Sequence, residues 1–196
     1  MTKLCVVPSV LIFAAVTAGA QNVPPPPKPP SGPSLEVTMK YIEDKLNGVN
    51  FTTIQKSNTG DSHSWRLKIT SAQGVPQGCM LSWRLTQFDL DEKNAQDTYS
   101  RLSLGDAKAV TVQSLSDYYH QAGFDADDFL FFPQVYRLTI KMQSGKAAHS
   151  HIDAEPDGDV TEVVAELPDK EYADRLAKAI VHAIELCGGG DNDPFR

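Results

Sequence analysis

The stretch EYADRLAKAIVHAIELCGGG (Glu171–Gly190) decides how the chain is read. Tyr172, Leu176, Ile180, Ala183 and Cys187 recur at intervals of three and four, the repeat of one face of an α-helix. Pro168, just ahead, suits a first helical position. The three glycines that follow form a stop. A helix with one apolar face must lay that face on something.

What it lies on is read from the preceding hundred residues, where the repeat is two, the period of a strand. HSWRLKIT (63–70) sets Trp65, Leu67 and Ile69 against Arg66, Lys68 and Thr70. GCMLSWRLTQ (78–87) sets Cys79, Leu81, Trp83 and Leu85 against Met80, Ser82, Arg84 and Thr86. QVYRLTIKMQ (134–143) alternates in the same way. NFTTIQKS (50–57), TYSRLSLGD (98–106), AVTVQSL (109–115) and DVTEVVAEL (159–167) are shorter runs of the same kind. Clean alternation predicts antiparallel sheets with one face in the core and one in water. The turn signals SNTGDS, SAQGVPQG, DEKNAQD and EPDGD separate the runs. A short helix is expected in LSDYYHQAG (115–123). The fold class is therefore α+β: an antiparallel barrel or sandwich of about seven strands, capped by the C-terminal helix.

An extra helix is expected before the first strand. In SLEVTMKYIEDKLNGV (34–49), Ser34 suits an N-cap, Glu36 the first turn and Gly48 the stop. Leu35, Met39, Ile42 and Leu46 form its apolar stripe. Further upstream, VPPPPKPPSGPS (23–34) predicts an extended, semi-rigid linker over 21–34. Residues 1–20 carry a short positive start, the apolar run LCVVPSVLIFAAV and the small residues AGA, the layout of a cleaved secretory signal. The run is short for a membrane span and contains Pro8.

Charge narrows the function classes. The net charge is −7. Removing residues 1–20 takes away only Lys3 among charged side chains. That leaves 17 Lys and Arg against 25 Asp and Glu, a net charge of −8. Such a surface repels nucleic-acid phosphates and anionic lipid. No later stretch is apolar enough to insert in a membrane. A periplasmic or secreted location is expected, with another exported or envelope protein as the partner class.

The order of about seven strands closed by EYADRLAKAIVHAIELC resembles the pleckstrin-homology-like barrel over roughly residues 50–187. The chain is also similar to a group of exported bacterial proteins that share a TMKYIEDKLN-like start and an AKAIVHAIELCGGG-like end. One domain is expected over residues 35–188, followed by a flexible tail over 189–196, and the resemblance carries no activity with it. Inositol-lipid binding, the usual role of such barrels, needs a basic loop between the first strands. Here that loop, SNTGDS, has only Lys56 just before it.

The two cysteines beyond the signal, Cys79 and Cys187, both fall on apolar faces by periodicity. In an oxidising compartment a disulfide between them is expected. It would close a loop of about a hundred residues, worth roughly 4–5 kcal/mol in the chain-entropy picture. The alternative is two free buried thiols.

Two loops hold chemistry-bearing residues. AAHSHIDAEPDGD (147–159) places His149, His151, Asp153, Glu155, Asp157 and Asp159 at alternate positions, a weak metal-ligand pattern. Pro156 breaks the calcium-loop likeness and Val164 stands where the closing glutamate belongs. A solvated acidic connection is the preferred reading. GFDADDFLFFPQ (123–134) sets Phe124, Phe129, Phe131 and Phe132 beside aspartates. It reads as a ligand groove or, preferentially, as aromatic side chains plugging the end of the barrel. His182, near the stripe of the last helix, reads as a boundary histidine. No catalytic or cofactor motif is found. The sequence thus predicts a non-catalytic binding or scaffolding module without a cofactor. A metal-dependent or hydrolytic enzyme using the His149–Asp159 loop, or a small-ligand carrier, are the alternatives.

Overall fold

In the computed structural model, residues 32–125, 129–152 and 158–190 are described. They belong to the unit Ser31–Arg196. The first helix, α1 (Leu35–Asn47), is capped by the Ser34 hydroxyl and buries Met39, Ile42 and Leu46. Five strands and a helix follow in order: β1 (Asn50–Lys56), β2 (Ser62–Val75), β3 (Met80–Asp89), β4 (Asn94–Ser103), β5 (Ala107–Ser114) and α2 (Leu115–Gln121). The remainder is β6 (Leu130–Phe132), β7 (Tyr136–Met142), β8 (Ala148–Ile152), β9 (Gly158–Val160), β10 (Glu162–Leu167) and α3 (Lys170–Leu186).

The class is α+β, with two antiparallel sheets and the expected C-terminal helix. The larger sheet has seven strands in the order β6-β1-β2-β3-β4-β8-β9; the smaller has three in the order β10-β7-β5. The barrel alternative is corrected. β7 spends both its edges on β10 and β5, which leaves four sheet edges and no closed barrel among the described residues. The seven expected strands are all present. The last, expected as one run over 159–167, is divided into β9 on the larger sheet and β10 on the smaller, and the additional strands, β6 and β8, are short pieces of three and five residues.

One core serves both sheets. Ile69, Leu81, Trp83 and Leu85 from the larger sheet meet Leu138, Ile140 and Ala165 from the smaller. Leu176, Ile180 and Ala183 of α3 close it, as the sequence periodicity requires. The indole Nε1–H of Trp83 donates to the Val164 carbonyl and so ties the two sheets together. Each leucine or isoleucine among them, fully buried, contributes about 1.5–3 kcal/mol.

The N-terminal helix is stitched to β2 at an irregularity. The β2–β3 register shifts between Thr70 and Gln73. Ser71 there has a φ of 55°. The bulge leaves the Ala72 backbone without a strand partner, and Asn47 at the end of α1 supplies one. Its amide donates to the Ala72 carbonyl at 3.0 Å and accepts the Ala72 N–H at 2.9 Å. The segment SAQG, expected as a turn, therefore continues the strand; only Pro76–Gly78 turns.

The chain end differs from the expected tail. Gly189 is buried and Gly190 donates its N–H to the Ala107 carbonyl at 2.8 Å. A Cβ on Gly189 would stand 2.4 Å from the Leu104 carbonyl oxygen, so only glycine allows this approach. The ordered domain thus extends through residue 190, beyond the expected boundary at 188. Residues 191–196, with the signal and most of the linker, lie outside the described residues.

Candidate functional site

Cys79 and Cys187 are joined in a disulfide with Cα atoms 5.9 Å apart and a separation of 108 positions in sequence. Their pairing matches the expectation, but their placement does not. Cys79 is not on the core face of β3. It ends the Pro76–Gly78 turn with a φ of 50° and is half-buried, as is Cys187 at the end of α3. The Cys79 carbonyl accepts the Leu104 N–H at 2.8 Å, so the bridge, the β4–β5 connection and the end of α3 meet at one point. This is a structural anchor.

The predicted metal loop is only partly described. His149 and His151 sit on β8 two residues apart and so on one face. The register sets His149 opposite Asp159 on β9 and opposite Arg101 on β4; His151 lies opposite Tyr99. Asp153, Glu155 and Asp157 lie outside the described residues. Among the described residues, the group whose ligand atoms converge is a different one, His63, Asp89 and Asp91, within 4.8 Å of one another. Antiparallel pairing of β2 with β3 makes that cluster, which no sequence spacing reveals. Its carboxylates have a structural task. Asp89 accepts the N–H groups of Asp91 and Glu92, and Asp91 accepts that of Ser64. They build the β3–β4 turn.

The aromatic segment is divided rather than packed as a plug. Phe131 is buried with Leu115 and Val135 in a second, smaller core. Phe124 and Phe132 are half exposed, and Phe132 lies beneath the Lys56 ammonium. Phe129 stacks on Tyr119 of α2 at 4.3 Å. Asp127 and Asp128 lie outside the described residues. His182 is the expected boundary residue: its Nε2–H donates to the Pro33 carbonyl at 3.0 Å.

The strongest site is one that sequence reasoning missed. A cleft of about 80 Å³ opens between the sheets, walled by Trp65, Gln55 and Gln87 of the larger sheet, Phe131 of β6, Tyr119 of α2 and Glu166 of β10. Glu166 is 4% exposed. It alternates with Val163, Ala165 and Leu167 and so belongs to the polar face of the smaller sheet, opposite Arg137. The larger sheet covers that face at this point. Gln87 reaches across and donates its amide to Glu166 at 2.8 Å. Burial pushes the Glu166 carboxyl above its ordinary range, opposed by the Gln87 hydrogen bond and then by the Arg137 charge. Arg137 does not wall the cleft; its guanidinium stacks on the Tyr118 ring at 3.9 Å. Burial raises the Tyr119 hydroxyl as well, with the Glu166 charge second.

Such an arrangement can hold and orient a small group. A carboxyl at one wall is set among aromatic side chains at the others, and the Gln87 amide fixes its direction. No family model matches the chain, and neither known proteins nor solved structures give a match. No described helix is long and apolar enough to cross a membrane.

Proposed function

We propose that this protein is an exported, non-catalytic binding domain that takes a small ligand at the cleft beside Glu166. The observation that carries the reading is a carboxyl group buried to 4% exposure that lines a cavity and accepts one side-chain hydrogen bond among the described residues. Burying a carboxyl costs several kcal/mol unless it is well partnered. A fold that keeps one at a cavity wall, where an apolar residue would stabilise it, uses it for something in that cavity. Export is supported by the composition of residues 1–20 and by the Cys79–Cys187 bridge. The resemblance to the pleckstrin-homology-like barrel supports only the closing role of α3.

A fragment screen on the oxidised, isotope-labelled protein tests the reading by NMR. The expected hits shift the Trp65 indole N–H and the Gln87 side-chain amide. Hits that gather elsewhere and leave these signals in place would overturn it.

A further inference from the structure

We propose that the cleft receives the head of a small organic cation, an alkylammonium or quaternary ammonium group. The inference rests on the binding reading above and adds the chemistry of the ligand.

Three of the wall's hydrogen-bond donors are turned onto the protein itself. Trp65 Nε1–H donates to Gln55 Oε1 at 3.1 Å. Thr53 Oγ1–H donates to the Pro133 carbonyl at 2.8 Å. The Gln87 amide donates to Glu166. An anion needs donors, and these three are committed to the protein, which leaves the Tyr119 hydroxyl and the Gln55 amide as the wall's others. What the wall offers is a carboxyl and aromatic rings. Tyr119 and Phe131 lie nearly parallel, 23° apart with centroids 6.3 Å apart, and Trp65 stands among the lining residues with them. Ring faces carry negative charge and attract cations, most strongly in a desolvated site.

The positive side chains do not compete. No lysine, arginine or histidine lines the cleft. Among the described residues, none forms an ion pair with Glu166, and the nearby Arg137 is held on Tyr118. Among the described residues the carboxyl therefore has no ion-pair partner, only the Arg137 charge acting on it from the neighbouring strand, and a ligand can supply one. A negative net charge of −7 also draws cations toward the surface. The volume, about 80 Å³, suits a head group rather than a drug-sized molecule. Deprotonation of Glu166 accompanies cation entry, so uptake strengthens as pH rises. The groups that face Glu166 in this respect are Arg137 of β7 and the hydroxyl of Tyr119 of α2.

The test is an NMR titration of the oxidised protein at constant ionic strength. The probes are choline chloride, tetramethylammonium chloride, methylammonium chloride and 3,3-dimethylbutan-1-ol, the neutral isostere of choline. At least one ammonium probe should shift the Trp65 indole signal saturably. The neutral isostere should bind at least about tenfold more weakly than choline, the loss of one ion-pair or cation–π contribution. Glu166→Gln, which preserves shape, should lower ammonium affinity by at least about tenfold while leaving the spectrum's dispersion intact. Phe131→Leu gives a second variant that removes one ring and should weaken quaternary ammonium more than methylammonium. If the neutral isostere binds as well as choline, the cation class is overturned while the cleft remains a binding site. If Glu166→Gln binds ammonium like the parent protein, the inference is overturned in the same way. If no ammonium probe shifts the cleft signals, the inference is overturned, and if the broader fragment set also misses them, the binding reading is overturned with it.

Discussion

Gln87 and Glu166, on different sheets and 79 positions apart in sequence, share a 2.8 Å hydrogen bond across the cleft. That bond fixes the carboxyl where the two sheets come together. It also partly offsets the burial that drives the carboxyl toward its neutral form.

The first prediction concerns pH. In the folded protein Glu166 holds its proton more tightly than the ordinary glutamate value of 4.5 allows. The folded state therefore binds more protons than the unfolded state between that value and the raised one. Stability from this group is fully present below the ordinary value and is lost as pH rises through the raised one. Glu166→Gln removes the dependence. The variant should be more stable than the parent at neutral pH, with the difference vanishing on acidification. Urea midpoints across a pH series check this, and a constant offset between the two proteins would contradict it.

The second concerns the disulfide. Replacing both Cys79 and Cys187 by serine should lower stability by about 5 kcal/mol in the chain-entropy picture, given the 108-residue separation. A thiol reductant should destabilise the parent by a similar amount and leave the double variant unchanged. Denaturation with and without reductant reads both.

A third prediction separates neighbouring glycines. Gly189→Ala forces a methyl group to 2.4 Å from the Leu104 carbonyl oxygen and should cost about 1–3 kcal/mol or more. Gly188, with a φ of 77° and open space around it, should cost about 1 kcal/mol on the same change, from backbone conformation alone. Thermal melts of the two variants give the order.

The closing helix offers a fourth. Ile180→Ala should cost about 2–4 kcal/mol, because Ile180 is fully buried in the main core. Val181→Ala, at the next position and 39% exposed, should stay within about 0.5 kcal/mol of the parent. Equal effects would mean that α3 does not present the Ile180 face to the core.

The helices and long strands were legible because their periodicity is carried by large apolar residues. Leu176, Ile180 and Ala183 marked the inner face of α3, and Leu81, Trp83 and Leu85 that of β3. β6 and β8 are too short for a period to register, and their pairing is non-local. Cys79 looked like a core position because alternation was extended one residue past the end of β3, into the turn. The cleft was hidden for a different reason. In VVAEL, Glu166 falls out of phase with Val163, Ala165 and Leu167, and a charged residue out of phase with a buried set reads as solvent-facing. Its burial is made by Gln87 and Tyr119, from elements that only the tertiary fold brings over it.

The Cys79–Cys187 bridge also divides the chain into a ring and a thread. Everything from β3 to α3 lies within the covalent ring, and α1, β1 and β2 lie outside it. Tension between the chain ends would pass through the sulfur bridge and bypass the ring, drawing out only the thread. The cleft straddles that division: Trp65 is on the thread, while Gln87, Tyr119, Phe131 and Glu166 are on the ring. A pull on the N-terminal lead would draw away Trp65 and Gln55 and take from β6, which carries Phe131, its pairing with β1, while Gln87 and Glu166 stayed within the ring, so that the shape of the cleft would answer to mechanical load.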